Sequence, residues 1–164
     1  MALIKNHQLI PDPFTRVAGD AELPDQGGVL VDLQRWQDDW ESLTRRGSPV
    51  GVWLSSDQHP EIIADDLDQI DLVALEFSSF RDGRAYSYAR LLRDRYGFGG
   101  ELRAVGDVLP DQLLYMHRVG FDAFEVAGQD PLSDYQAALE EFDVFYQPSA
   151  DTRATALKLR HARG

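Results

Sequence analysis

Residues 72–107 read LVALEFSSFRDGRAYSYARLLRDRYGFGGELRAVGD. The run 72–78 is too continuously apolar for a strand with one wet face, so it predicts a strand buried on both sides. Residues 84–96 then place Ala85, Tyr88, Ala89, Leu92 and Tyr96 at helical spacing. Asp82 suits the N-cap of that helix, and Gly97, Gly99 and Gly100 end it. Residues 102–105 form the next strand, with Gly106 and Asp107 as its exit turn. A strand, a helix and a second strand of this kind make a right-handed crossover between parallel neighbours.

The same alternation extends outward. Residues 29–33 read as a strand and 33–46 as a helix closed by Gly47. Further strands are expected at 50–55 and 121–126. Pro110 opens a helix that Gly120 closes, and another helix covers 131–142. Residues 59–69 form an acidic loop or short helix, and residues 2–10 fit a short hairpin turning near Asn6. The rest of the segment 1–28, rich in Pro and Gly, reads as irregular, and 151–164 as a basic terminal helix. The fold expected is a single α/β domain over 1–164 with a mostly parallel sheet. It is either a partial β/α barrel or an open doubly wound sheet, because a full eight-unit barrel needs about 250 residues. Two strand starts echo each other, IDLVALEF and FDAFEVAG, each with an early Asp.

Composition narrows the function classes. The 164 residues include no cysteine, which removes disulfides, thiolate metal sites and a Cys nucleophile. The net charge of −12 repels nucleic acid. No apolar run reaches the length of about 20 residues that spans a bilayer, and the N-terminus lacks the apolar core of a signal peptide. The expectation is a cytoplasmic protein with no nucleic-acid or membrane partner. Its charge is uneven: residues 57–71 carry Asp57, Glu61, Asp65, Asp66, Asp68 and Asp71 with no Lys or Arg, whereas 81–103 carry six arginines against three acids. An anion can therefore meet a locally positive field on a negative protein.

The turn Ser78, Ser79, Phe80, Arg81, Asp82, Gly83, Arg84 lies at a strand's carboxyl end, where α/β proteins bind ligands. Its two hydroxyls and two guanidinium groups suit sulfite, sulfate or phosphate, with Arg103 on the next strand as a further anion-binding candidate. The same residues also fit a plain capped turn, with Asp82 as cap and Arg81 paired to a local acid. Arg103, inside a strand, must reach an edge or a buried acid such as Glu76, since an unpaired buried charge is costly. Asp107 shares the predicted edge with the turn; it either orients Arg81, acts as general base, or caps its own turn. Glu76 and Glu125 interrupt apolar strands and suit an acid–base or metal pair, or partners for arginines. His7, His59, His117 and His161 lack metal-ligand spacing. Trp36 and Trp40, four apart on one helix, read as core or interface anchors. There is no Gly-Lys-Ser/Thr phosphate loop, no G-x-G-x-x-G after a strand and no nucleophile elbow, so no cofactor is expected.

The stretch 77–124 resembles a bacterial family of unknown function, chiefly in FRDGRAYSYARLLRDRYGFGGELRAVGDVLPDQLLYMHRVGFDAF, residues 80–124. The likeness is carried by DGR-x-YS-x-ARLLR, ELRAVGDV-x-x-DQL and GFDAF. Ser78 and Ser79 stand where that family often has a Pro-Lys pair. The family is commonly labelled an oxidoreductase, or an accessory protein, of assimilatory sulfite reduction, through its neighbourhood with sulfite reductase. The resemblance thus implies a partner such as sulfite reductase or another protein of sulfur assimilation, and action by protein contact or by holding an oxyanion. The alternatives are a small enzyme on an anionic substrate, with Asp107 or Glu76 as acid–base catalyst, and a non-catalytic structural partner of a redox complex that docks through residues 57–71.

Overall fold

The computed structural model describes residues 1–79 and 81–140, together with residues 149, 155, 158 and 160. Eight strands form one sheet: β1 (Ala2–Lys5), β2 (Gln8–Ile10), β3 (Phe14–Val17), β4 (Gly28–Asp32), β5 (Val50–Leu54), β6 (Leu72–Phe77), β7 (Glu101–Gly106) and β8 (Ala123–Val126). The helices are α1 (Leu33–Arg45), α2 (Arg84–Arg90), α3 (Leu113–Val119) and α4 (Pro131–Glu140). The spatial order is β2-β1-β8-β7-β6-β5-β4-β3. Strands β3 to β8 run parallel in chain order, and β1 is antiparallel to both β8 and β2.

Chain order without reversal distinguishes the two architectures. A doubly wound sheet reverses its strand order and carries helices on both faces. Here the order never reverses, and Trp36, Ala89, Met116 and Tyr135, one from each of α1 to α4, join one core with Leu92, Val31, Val52, Val73 and Leu75. The other face holds a small separate cluster, Leu30, Trp53, Leu72, Ala74 and Val105, with Phe14 against it. The sheet also curls. Its edge strands β2 and β3 are joined by Pro11-Asp12-Pro13, and four Cα steps reach at most about 14 Å. The result is a half-barrel in which, among the described residues, α1 to α4 pack on the outer face.

Several local expectations hold. The hairpin β1–β2 turns at Asn6 and His7, both with positive φ (51° and 62°), the geometry of a two-residue hairpin turn. Asp32 caps α1 by accepting from the Arg35 amide at 2.8 Å, and Gly47 leaves it with φ 69°. The echoed aspartates do the same job twice: Asp71 accepts from the Val50 amide (2.9 Å) and Asp122 from the Leu102 amide (2.9 Å). Each satisfies an N–H at the start of a neighbouring strand.

Other expectations change. The segment 1–28 is not all irregular, because Phe14–Val17 is the last strand of the sheet. Its flanking prolines hide it in the sequence, yet Pro is well tolerated beside an edge strand. The short-helix alternative for 59–69 holds, as a 3-10 helix over Pro60–Gln69. The helix expected over 84–96 is α-helical only to Arg90 and widens into a π-turn over Leu91–Arg95. Gly83, rather than Asp82, takes its N-cap position, without a side-chain cap. The expected basic helix over 151–164 lies outside the described residues, apart from single positions.

Candidate functional site

The carboxyl end of β6 leads straight into the Ser78–Arg84 turn. Ser56, which follows β5 and is buried, accepts from Arg84 Nη2 at 3.2 Å and donates to Ser78 Oγ at 3.1 Å. Ser78 Oγ in turn donates to Asp82 Oδ2 at 2.9 Å. Arg84 grips both Asp82 oxygens, through Nε (2.9 Å) and Nη2 (2.7 Å). Its own amide donates to Asp82 Oδ1 at 3.2 Å. The guanidinium at this turn is therefore neutralised by a carboxylate two residues away, and Ser78 is committed to the same carboxylate.

The Arg84 hydrogen bonds hold the Asp82 carboxyl well below the usual carboxylate range, against a smaller opposing cost of burial. The sign follows from linkage: a depressed pKa stabilises the fold above the ordinary carboxylate pKa, and that stability is lost only as pH falls through the folded value. Asp82 is therefore expected to stay ionised as pH falls through the range in which exposed aspartates protonate. A carbon-13 NMR titration of the carboxyl groups checks this; protonation of Asp82 together with the exposed aspartates would show that the Arg84 clamp does not form.

The remaining turn residues are placed as follows. Arg81 and Ser79 are exposed, and among the described residues Arg81 has no ion pair. The Ser79 carbonyl accepts from the Asp82 amide at 3.0 Å, closing the turn. Asp107 reaches the same edge because β6 and β7 are parallel neighbours. Its amide donates to the Phe77 carbonyl at 2.8 Å, and its side chain is exposed.

Arg103 is not brought to this turn. It points into the concave interior and is fully buried. Its Nε donates to Glu101 Oε1 at 2.8 Å, its two Nη atoms take Asp12 as a fork (2.7 and 3.1 Å), and Nη1 also meets Glu125 Oε1 at 3.2 Å. Lys5 completes the group on Glu101 Oε2 at 2.6 Å. The acids that Arg103 requires are thus the buried Glu101, the partly buried Glu125 and the exposed Asp12, and not Glu76. Burial opposes the guanidinium charge, but Asp12 and Glu101 outweigh it and raise the Arg103 pKa.

Glu76 takes a hydrogen bond from Trp53 Nε1 at 3.4 Å, and the Arg16 guanidinium lies 3.5 Å over the Trp53 ring. Glu76 and Glu125 share the concave face two strands apart, with β7 between them. Among the described residues, no group of three or more His, Asp or Glu side chains could hold a metal ion. His7 and His117 meet edge to face at 5.7 Å, and His59 Nδ1 accepts from the Glu61 amide at 3.2 Å. His161 lies outside the described residues.

Sequence reading missed Asp12, Arg16, Glu101 and Ser56. Only Asp12 carries a signal, a carboxylate fixed between two prolines, and nothing local says that it meets a strand 91 residues away.

The geometry defines a class: a half-barrel α/β protein with a charged concave interior and a hydroxyl-rich turn at the carboxyl edge of its parallel strands. The chain belongs to the bacterial family of unknown function DUF934, whose profile matches residues 51–157. The match spans β5 to the C-terminal segment and leaves out β1 to α1, including Asp12 and Arg16. No curated protein matches the chain. No helix among the described residues is long and apolar enough to cross a membrane.

Proposed function

We propose that this chain is an accessory protein of assimilatory sulfite reduction, and that it works by docking a basic protein partner through its acidic helical flank. The pathway follows from the resemblance carried by residues 77–124. The mode of action rests on one observation: Trp40 on α1 is 48% exposed on a surface rich in acids. Trp36 Nε1 donates to Asp66 Oδ2 at 3.2 Å and so ties α1 to the 3-10 segment. Trp40 lies one helical turn beyond Trp36, and Ile62, 49% exposed, precedes Asp66 by about a turn. Asp38, Glu41, Glu61, Asp65 and Asp68 are exposed around them. An exposed aromatic within a charged rim is the make-up of a protein contact, with the ring as anchor and the charges steering a basic surface.

A strain lacking the gene is expected to fail on sulfate and sulfite and to grow on sulfide or cysteine. Complementation with Asp65→Lys and Asp68→Lys together should fail, while the purified double variant melts like the wild type. Normal growth of the deletion strain on all four sulfur sources would remove the pathway reading. Full complementation by the charge reversal would remove the docking face.

A second reading keeps the oxyanion at the turn, and the observation favouring it is the exposed Arg81, which has no ion pair among the described residues, on the same sheet edge as Ser79 and Asp107. The same experiment separates the two, because Arg81→Ala complements fully under the docking reading and fails under the oxyanion reading.

A further inference from the structure

Where the two edges of the curled sheet approach each other, a cleft of about 620 Å³ opens. Leu3, Leu9 and Ile10 form an apolar wall, and Asp12, Glu125 and Arg16 supply charge. That volume lies within the usual range for small-molecule sites, about 300–1,000 Å³. The cleft exists only because the sheet curls, since Arg16 sits on one edge strand and Glu125 on the strand two places in from the opposite edge.

We propose that this cleft binds a small zwitterion, with an ammonium group at Glu125 and Asp12, a carboxylate at Arg16, and an apolar body against Leu3, Leu9 and Ile10. Three observations carry it. The Arg16 guanidinium carbon lies 3.5 Å over the Trp53 ring, yet among the described residues the group has no hydrogen-bond or ion-pair partner. A planar guanidinium held over a ring is preorganised for a carboxylate. Glu125 gives Oε1 to Arg103, and among the described residues its Oε2 accepts no hydrogen bond. Finally, the buried Arg103 clamps Asp12 and Glu125 from below, so little side-chain freedom is left to lose on binding a cation. Opposite charges at two ends of an apolar cleft select a ligand that carries both. The inference stands apart from the docking flank, with which it shares no residue.

The test uses the full chain with L-leucine as probe, beside isocaproate, which lacks the ammonium, and leucinamide, which lacks the carboxylate. Binding is read by calorimetry and by amide shifts at neutral pH and low salt. Leucine is expected to bind about tenfold more tightly than either analogue, the cost of one charge-assisted contact. Arg16→Gln, an exposed edge-strand change, should weaken leucine by about tenfold and leave leucinamide unchanged. Absence of leucine binding, equal binding of all three probes, or full leucine affinity in Arg16→Gln would each overturn the proposal. So would sulfite binding in the cleft where leucine does not. The three-probe comparison on the wild type decides the matter even if the variant does not fold.

Discussion

Replacing Arg103 with Met is expected to lower stability by about 3–5 kcal/mol, the cost of leaving buried charge without its partner. For a chain of this size that is roughly 10 °C in melting temperature. The substitution preserves bulk and removes the one cation that Asp12, Glu101 and Glu125 share; Lys5 remains on Glu101 alone. Adding Asp12→Asn to Arg103→Met should restore part of the loss, because it removes one of the stranded charges. Urea melts of the single and double variants check both points. A loss under about 1 kcal/mol for Arg103→Met would mean that the cluster is wet and mobile, and not a fixed brace across the interior.

Trp36→Ala and Trp40→Ala are expected to separate cleanly, although the two residues are four apart on one helix. Trp36 is 1% exposed in the main core and donates to Asp66, so its truncation opens a cavity and strands an acceptor. Such changes cost about 3–5 kcal/mol. Trp40 is 48% exposed, and its truncation should change stability by less than about 0.5 kcal/mol. If α1 is part of the docking flank, Trp40→Ala should instead weaken partner binding by about 2 kcal/mol, the scale of an interface hot spot. Denaturant melts together with pull-down titrations distinguish the outcomes. A large stability loss in Trp40→Ala would place it in the core, and unchanged partner affinity would remove it from the contact.

This pair also marks how far sequence reading reaches. Spacing placed both rings on one face of one helix, and at about 100° per residue Trp40 falls between the buried Leu33 and Trp36; its exposure is therefore decided by what the rest of the chain lays over it, and not by helical phase. The Ser78–Arg84 turn shows a similar boundary. Its place at the carboxyl end of β6 was legible, because strand and helix are contiguous. That Arg84, and not Arg81, turns back on Asp82 was not, because the direction of a side chain in a turn depends on its surroundings, here Ser56 from the neighbouring strand's loop.

Short-range physics wrote the elements into the sequence. The unbroken apolar run of β6, the helical spacing after it and the glycines at the turns determined alternating strands and helices, hence a parallel sheet. Tertiary structure alone decided that the helices cover one face and that the sheet curls. It also decided that Arg103 on β7 meets Asp12 in the link between the edge strands, 91 residues away in the chain. The reason is physical: curvature depends on twist summed over all eight strands, and a buried arginine takes whichever carboxylates that curvature brings to it.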